Sequence, residues 1–502
     1  MLSGALYHHY LISASRVAAA KARCRLQLRQ KSTAVLLLLV LLLAGSGCSF
    51  LQNYPRNFRP ARFSVENGNP EQAVRYLQPK TGTRLDRLCY LLEIGTLFHA
   101  MGMWQESIET FGDAENVMEQ AEQKAVISVS DIGSQFGSLL VNEKVIPYQG
   151  ESFEKILLHT YQALNYYMTG RLDDSRVEIR QAYAVQQEEQ EKHSKDLREL
   201  EQAAQTENLD TDTIWKTVLD HYEDQAAIAA RTANVYQNAF TYYLSALVYK
   251  ANKEPNDAYI DLKTVHLLRP DFPYAHPQLI ELAMASGLWE DVPTWERKFD
   301  LSRNDIPRSG SELVVIYTCG WAPEKEEIKI AIPIPYERNI YLVPIAFPKY
   351  RVLESPIDHL EVLDKRGFLG ATALLFDTEA AAVRYLRDKI LRLAIKQALR
   401  AAIKIAEQKY AYDQAGMAAS LAVGVANYLI EQADLRSWLS LPKNIQVAHF
   451  YLPSGDHDFT LQFVSPQGTV LFQDNVTVTL RREKIHVLLI RTFGTQHFVH
   501  YY

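Results

Sequence analysis

The chain has 502 residues, a formal charge of −6, 47% apolar residues and 11% aromatic ones. That length supplies two or three domains with a sizeable core, and the acidic balance argues against a general nucleic-acid binder. The four cysteines, at 24, 48, 89 and 319, show no CxxC or Cys/His spacing that would mark a metal site.

The first organised stretch is Lys31 to Cys48, KSTAVLLLLVLLLAGSGC. Its apolar run, Ala34 to Ala44, is eleven residues long. A membrane-crossing helix needs about 20 residues, whereas a secretion-signal core needs roughly 7–15 behind a basic leader. The leader holds Arg16, Lys21, Arg23, Arg25, Arg29 and Lys31 and no acid, so without it the charge falls from −6 to −12. Gly45, Ser46, Gly47 and Cys48 resemble the lipobox of bacterial lipoproteins. That resemblance implies a thioether lipid on Cys48, cleavage before it and acylation of the new amino terminus, which together anchor stably. Ser49, where inner-membrane retention usually has Asp, implies the periplasmic face of the outer membrane. Residues 1–47 are thus read as a lipoprotein signal peptide and 48–70, with Pro55, Pro60 and Pro70, as an extended tether.

Residues 71–305 read as a tetratricopeptide-like array of helical hairpins. Ile94, Gly95, Phe98, Gly102, Phe111 and Ala114 fit the spacing of small and large residues of such a repeat, with Ser107 at a position usually Ala. Ala163, Tyr166, Gly170, Ser175, Ile179 and Ala182 form a second match, and Ala246, Tyr249, Ala258, Leu262, Val265 and Pro270 a third. Gly287 marks a degenerate fourth. The spacing predicts turns at Gly102, Gly170, Lys253 and Gly287. Two insertions interrupt the array. Residues 126–150, with Gly133, Gly137 and Gly150, read as a loop or short hairpin, and the charged stretch from about 186 to 225 as a protruding helical hairpin.

After Ile306 the pattern changes. In 306–433, Glu312–Cys319, Ile328–Ile334, Ile340–Phe347 and Val362–Phe376 read as strands. A long helix follows, capped by Asp377 or Thr378 and running to about Tyr410. Its polar side is basic. Arg392, Lys396, Arg400 and Lys404, four residues apart, form one ridge that could meet anionic headgroups or an acidic partner. Gly416–Ile430 reads as a small-residue helix packed on it. Residues 434–502 read as a small antiparallel β-sandwich. The expected fold class is therefore α+β: a helical-hairpin array, a mixed region and a carboxy-terminal antiparallel sandwich. Cys89 and Cys319 could pair in an oxidising compartment, but two separately buried thiols are the simpler reading.

No GxSxG, P-loop, HExxH or GxGxxG motif is present. His497 and His500 give at best two ligands and read as solvated terminal histidines. The chain is accordingly expected to be no enzyme and to need no cofactor or metal. The stretches PYQGESFEKILLHTYQALNYYMTG, YYLSALVYKANKEPNDAYIDLK, GWAPEKEEIKIAIPIP with YLVPIAFPKYR, and ADLRSWLSLPKNIQVAHFYLPSGDHDF resemble a family of bacterial lipoproteins with tetratricopeptide-like repeats. The resemblance implies no established activity and supplies no catalytic residue. Asp434, Arg436 and Trp438 read as a clamp, an ion pair with an aromatic plug between helices and sandwich. The expected function is a lipid-anchored interaction scaffold in the cell envelope with a protein partner. The alternatives are a lipid- or wall-contacting protein using the basic helix and, third, a cell-wall glycan enzyme.

Overall fold

A computed structural model describes residues 53–131, 144, 146–206, 209–232, 234–306, 310–336, 339–415 and 432–502. The signal peptide, Cys48, Gly133, Gly137 and the expected small-residue helix 416–430 lie outside the described residues.

The expected tether is instead largely helical. Helix α1 (Tyr54–Glu66) contains Pro60, and α2 (Pro70–Leu77) begins on a proline, where the missing N–H costs no intrahelical bond. Phe58, Ala61 and Val65 lie on one face of α1 and are buried, and this burial outweighs the proline inside the helix.

Four antiparallel helix pairs follow: α3 (Arg87–Ala100) with α4 (Trp104–Asp131), α5 (Ser152–Met168) with α6 (Leu172–Thr206), α9 (Ala239–Ala251) with α10 (Pro255–Leu268), and α11 (Ala275–Ala285) with α12 (Val292–Phe299). Each turn has its left-handed residue where the spacing predicts it: Gly102 at φ 74°, Gly170 at 75°, Lys253 at 62° and Gly287 at 73°. The next residue's N–H returns to a carbonyl five positions back in every pair. These are Met103 to Phe98, Arg171 to Tyr166, Glu254 to Tyr249 and Leu288 to Ala283, each 2.9 Å. One helix-ending motif thus repeats four times.

Close approach within a pair depends on small residues. The Ser107 hydroxyl donates to the Gly95 carbonyl at 2.8 Å, and that of Ser175 donates to the Ala163 carbonyl at 2.7 Å. A Cβ on Gly95 would lie 2.5 Å from the Phe111 ring. Gly95→Ala is therefore expected to destabilise the chain by about 1–3 kcal/mol, the cost of overpacking. Urea denaturation of the two proteins checks this.

Both insertions differ from expectation. Helix α4 continues to Asp131, so the first insertion begins helical. The second does not protrude. Helix α6 extends to Thr206, and α7 (Thr211–Leu219), a 3-10 turn (Asp220–Gln225) and α8 (Ala226–Ala229) fold back on the carboxy-terminal half. The Tyr222 hydroxyl donates to the Pro348 carbonyl at 2.6 Å, and Gln225 donates to that of Tyr350. Ile214, Val218 and Tyr222 supply the apolar contact that a solvated hairpin would lack.

The strands form two stacked sheets and a long hairpin. One sheet has the order β11-β10-β1-β7-β6, built from β1 (Ser311–Cys319), β6 (Ala373–Asp377), β7 (Asn444–Leu452), β10 (Ile485–Phe493) and β11 (Gln496–Tyr501). The other has the order β5-β4-β8-β9, from β4 (His359–Asp364), β5 (Gly367–Ala371), β8 (Gly455–Val464) and β9 (Val470–Leu480). The hairpin pairs β2 (Glu324–Tyr336) with β3 (Asn339–Arg351). Alternate residues of β1, Leu313, Val315, Tyr317 and Cys319, face the second sheet. Val314, Ile316 and Thr318 are buried as well, so β1 reads as a continuous apolar run, as a strand covered on both faces does.

This corrects the expected carboxy-terminal sandwich. Its strands cannot close a core by themselves, because β7 and β10 flank β1 while β8 needs β4. One pair, β1 with β10, is parallel and the others are antiparallel. Residues 57–502 form one unit, so the changes of pattern near 305 and 433 do not separate bodies. Helix α13 (Thr378–Ala415) starts as expected, with the Asp377 carboxylate accepting from the Ala380 N–H at 2.9 Å. Cys89 and Cys319 are both buried free thiols. His497 and His500 are half-buried and hydrogen-bonded rather than freely solvated. His500 meets the Ala100 carbonyl at 2.8 Å, and His497 lies 3.2 Å from Asp474 and stacks on Phe472.

Candidate functional site: a filled groove beside a basic cleft

The surface that a repeat array would offer to a peptide is occupied by the chain itself. The segment 434–441, without regular structure up to Trp438 and turning at Leu439 and Ser440, runs between the first two helix pairs and the sheets. Its Leu439 and Ser440 N–H groups each donate to the Glu93 carboxylate at 2.8 Å, and the Trp438 N–H donates to Glu154 at 2.7 Å. The Trp438 indole N–H donates to the Thr96 hydroxyl at 2.7 Å. Its ring lies edge-on to Phe111, 5.6 Å between centroids, and 5.8 Å from Tyr161. Trp438 is 1% exposed and Glu93 fully buried. The groove is a bound state in cis, with two buried carboxylates reading three successive N–H groups.

Arg436 anchors the same segment. It forks onto Asp434 at 2.7 and 2.9 Å and donates to the carbonyls of Leu85 at 2.9 Å and Ile146 at 3.0 Å. Asp86 lies 3.5 Å away. Burial alone would lower its pKa, but Asp434 overrides that and holds it above the usual arginine range. The expected clamp of Asp434, Arg436 and Trp438 is thus present.

Beside this segment a cleft of about 200 Å³ opens between α5, α6, α13 and residues 146–151. Its floor is a chain of charges. Glu151, just before α5, takes Lys325 and, at 3.2 Å, Lys389. Glu189 of α6 meets Lys155 at 2.6 Å and the Ser152 hydroxyl at 2.5 Å. Burial would raise the Glu189 carboxyl, yet Lys155 and Ser152 hold it below its ordinary value. Lys325 behaves conversely. Burial pulls it down, but Glu151 outweighs that and raises it. Tyr385, Lys192, Arg392 and Lys396 also line it.

The basic ridge is therefore not a flat exposed face. Arg392 and Lys396 line the cleft. Arg400 is 6% exposed, donates to Gln397 at 2.9 Å and lines a small crevice against Phe347 and Pro348. Lys404 is half-buried. Glu151, Ser152, Lys155 and Glu189 went unrecognised in the sequence, because PYQGES reads as a loop and Glu189 sits in a charge run typical of a solvated face.

A second cluster lies where α4, α5 and α6 meet. Glu115, His159 and Glu178 place three ligand atoms within 4.8 Å of one another. His159 is 2.9 Å from Glu178 and 3.6 Å from Glu115. These residues could hold a cation, an arrangement the sequence hides because they come from three separate helices. Burial, then Glu178, raises the Glu115 carboxyl to about 7. A carboxyl raised in the folded state is protonated there while the unfolded chain has already ionised, so stability is lost as pH rises from about 4.5 to 7. Glu115→Gln removes that loss. It is expected to raise the melting temperature at pH 8, by an amount on the order of 2 kcal/mol in stability, with no gain at pH 4. Thermal scans of both proteins at the two pH values check this.

No family model matches the chain, and no curated protein matches it. Among solved structures, a tetratricopeptide repeat protein from Parabacteroides merdae ATCC 43184 aligns over 47% of this chain and 100% of its own, at 15% identity and a TM-score of 0.13. The TPR domain of P58(IPK) aligns over 56% of this chain and 93% of its own, at 13% identity and a TM-score of 0.12. The repeat character of the helical half rests on its own four turns and helix pairs.

Proposed function

We propose that this chain is a lipid-anchored scaffold of the bacterial cell envelope, held by Cys48 on the periplasmic face of the outer membrane, whose helix pairs dock a protein partner. The observation that carries this reading is the register of the four pairs, since stacked hairpins present an extended surface for a partner. The filled groove moves the docking surface away from the first two pairs. The later pairs keep large apolar side chains in solvent, with Leu267 78% and Trp289 59% exposed. Large exposed apolar side chains at a repeat surface suit a protein contact. The basic leader, short apolar run and cysteine support the anchor.

Two measurements in the native host test the proposal. Mass spectrometry of the amino-terminal peptide should find Cys48 carrying a diacylglyceryl group, and an unmodified thiol there removes the anchor. Photo-crosslinkers at Leu267 and Trp289 should give one discrete protein adduct that a crosslinker at Lys263, one turn before Leu267 on α10, also reaches. Absence of adducts at all three positions removes the docking surface.

A further inference from the structure

We infer that Glu115, His159 and Glu178, where the first two helix pairs meet, form a binding site for one divalent transition-metal ion. They stand on three helices, α4, α5 and α6, and their ligand atoms lie within 4.8 Å of one another. One ring nitrogen of His159, Nδ1, faces both carboxylates, with Glu178 Oε2 at 2.9 Å and Glu115 Oε1 at 3.6 Å. Ligands about 2.1 Å from a tetrahedral ion stand about 3.4 Å apart. The two distances bracket that spacing, so an ion enters by rotation of side chains rather than movement of helices.

A separate observation points to the same ligand. Glu115 Oε1 is shielded from solvent and has no hydrogen-bond partner. The same holds for Oε1 of Gln162, which follows His159 by one turn and stands beside Glu115. Gln162 is 2% exposed, and its amide nitrogen donates to the Ile108 carbonyl at 3.1 Å. Buried acceptors without a donor are rare and call for an explanation such as an ion. No side-chain cation of the chain supplies it. Among the described residues neither Glu115 nor Glu178 is bridged by a lysine or arginine, and Arg171, at the head of α6, pairs with Asp174 at 2.7 Å. Glu119, one turn along α4, adds further negative charge.

The donor set selects the ion. An imidazole nitrogen with two carboxylates suits zinc and its first-row neighbours, whereas magnesium and calcium take oxygen ligands. Two carboxylates also cancel the charge of a divalent ion, as a mostly buried site requires. Three protein ligands leave a position for water, and Glu115, at 24% the most exposed of the three side chains, marks the open side. The ligands come from both helix pairs, so a bound ion ties the first pair to the second and stabilises the folded chain.

The test is calorimetric titration of the full chain in detergent, without a histidine tag and stripped by chelator, with zinc, magnesium and calcium chlorides. Zinc should bind one tight site per chain, at least about tenfold more tightly than magnesium or calcium, and should raise the melting temperature. Glu115→Gln and Glu178→Gln, close in shape to the parent side chains, should each weaken zinc binding by about tenfold or more and lose the thermal shift. His359→Gln removes a different histidine, paired with Asp358 at 2.9 Å, and should leave both readouts unchanged. A cooperative melt of each variant in chelator establishes that it is folded. Absence of saturable zinc binding by the parent overturns the inference whatever the variants do. Magnesium or calcium binding as tightly as zinc overturns it, as does unchanged zinc affinity in either folded glutamine variant. These outcomes do not depend on the anchor or on a protein partner.

Discussion

Trp438→Ala is expected to lower the unfolding free energy by about 3–5 kcal/mol, among the largest effects of any single truncation in this chain. The side chain is 1% exposed and lies between Phe111 and Tyr161, so removing it leaves a void that rigid helix pairs cannot close. The same truncation strips the Thr96 hydroxyl of its indole partner. Trp438→Phe separates these contributions. It keeps most of the apolar contact and loses the hydrogen bond, so it should cost about 1–2 kcal/mol. Guanidinium denaturation of the three proteins checks the ordering, and equal stability of the alanine variant and the parent would remove Trp438 as the plug of the groove.

The second large effect is expected at Arg436. Arg436→Met keeps much of the side-chain length and removes the charge. It leaves the Asp434 and Asp86 carboxylates near one another and two carbonyls without their donor. Breaking a buried ion pair from one side costs about 3–5 kcal/mol. Because burial raises the Asp86 carboxyl while Arg436 opposes that rise, losing the arginine should also make the variant more sensitive to rising pH. The Asp86 carboxyl then ionises without its counter-charge, so the deficit should be larger at pH 8 than at pH 5. A deficit independent of pH, measured by denaturation at those two values, would contradict this account. Replacing Asp434 with Leu in the same protein should recover part of the loss.

Much of the helical half was legible because its signals are local. The four turn positions follow from Gly or Lys four residues after a large side chain or alanine, and each turn forms the same hydrogen bond. The start of α13 was equally readable from Asp377. What failed depended on long-range pairing. Strand β1 is buried on both faces, so its sequence carries no alternation to say which sheet it joins, and its parallel neighbour β10 lies more than 160 residues later. The tether was read as extended from its prolines, but Phe58, Ala61 and Val65 form a helical stripe across Pro60. The cleft was half legible. Arg392 and Lys396 stood out by their spacing, but their enclosure depends on Glu151 and Glu189 from elsewhere in the chain.

The segment that fills the groove also sets a timetable for assembly. Glu93 accepts from Leu439 across a separation of 346 residues, so the earliest hairpins emerge long before the strip that seals them. An ordinary solenoid can zip up neighbour by neighbour. Here the opening hairpins must keep Phe111 and Tyr161 uncovered through most of synthesis, an interval in which sticky surface invites aggregation or a holding chaperone. A chain stopped at residue 433 lacks this strip and also β7 to β11, so it should bind a fluorescent reporter of exposed apolar surface more strongly than the full chain. The closing stretch of this molecule therefore acts as a late-arriving latch, making completion of the first-made part wait for nearly the last.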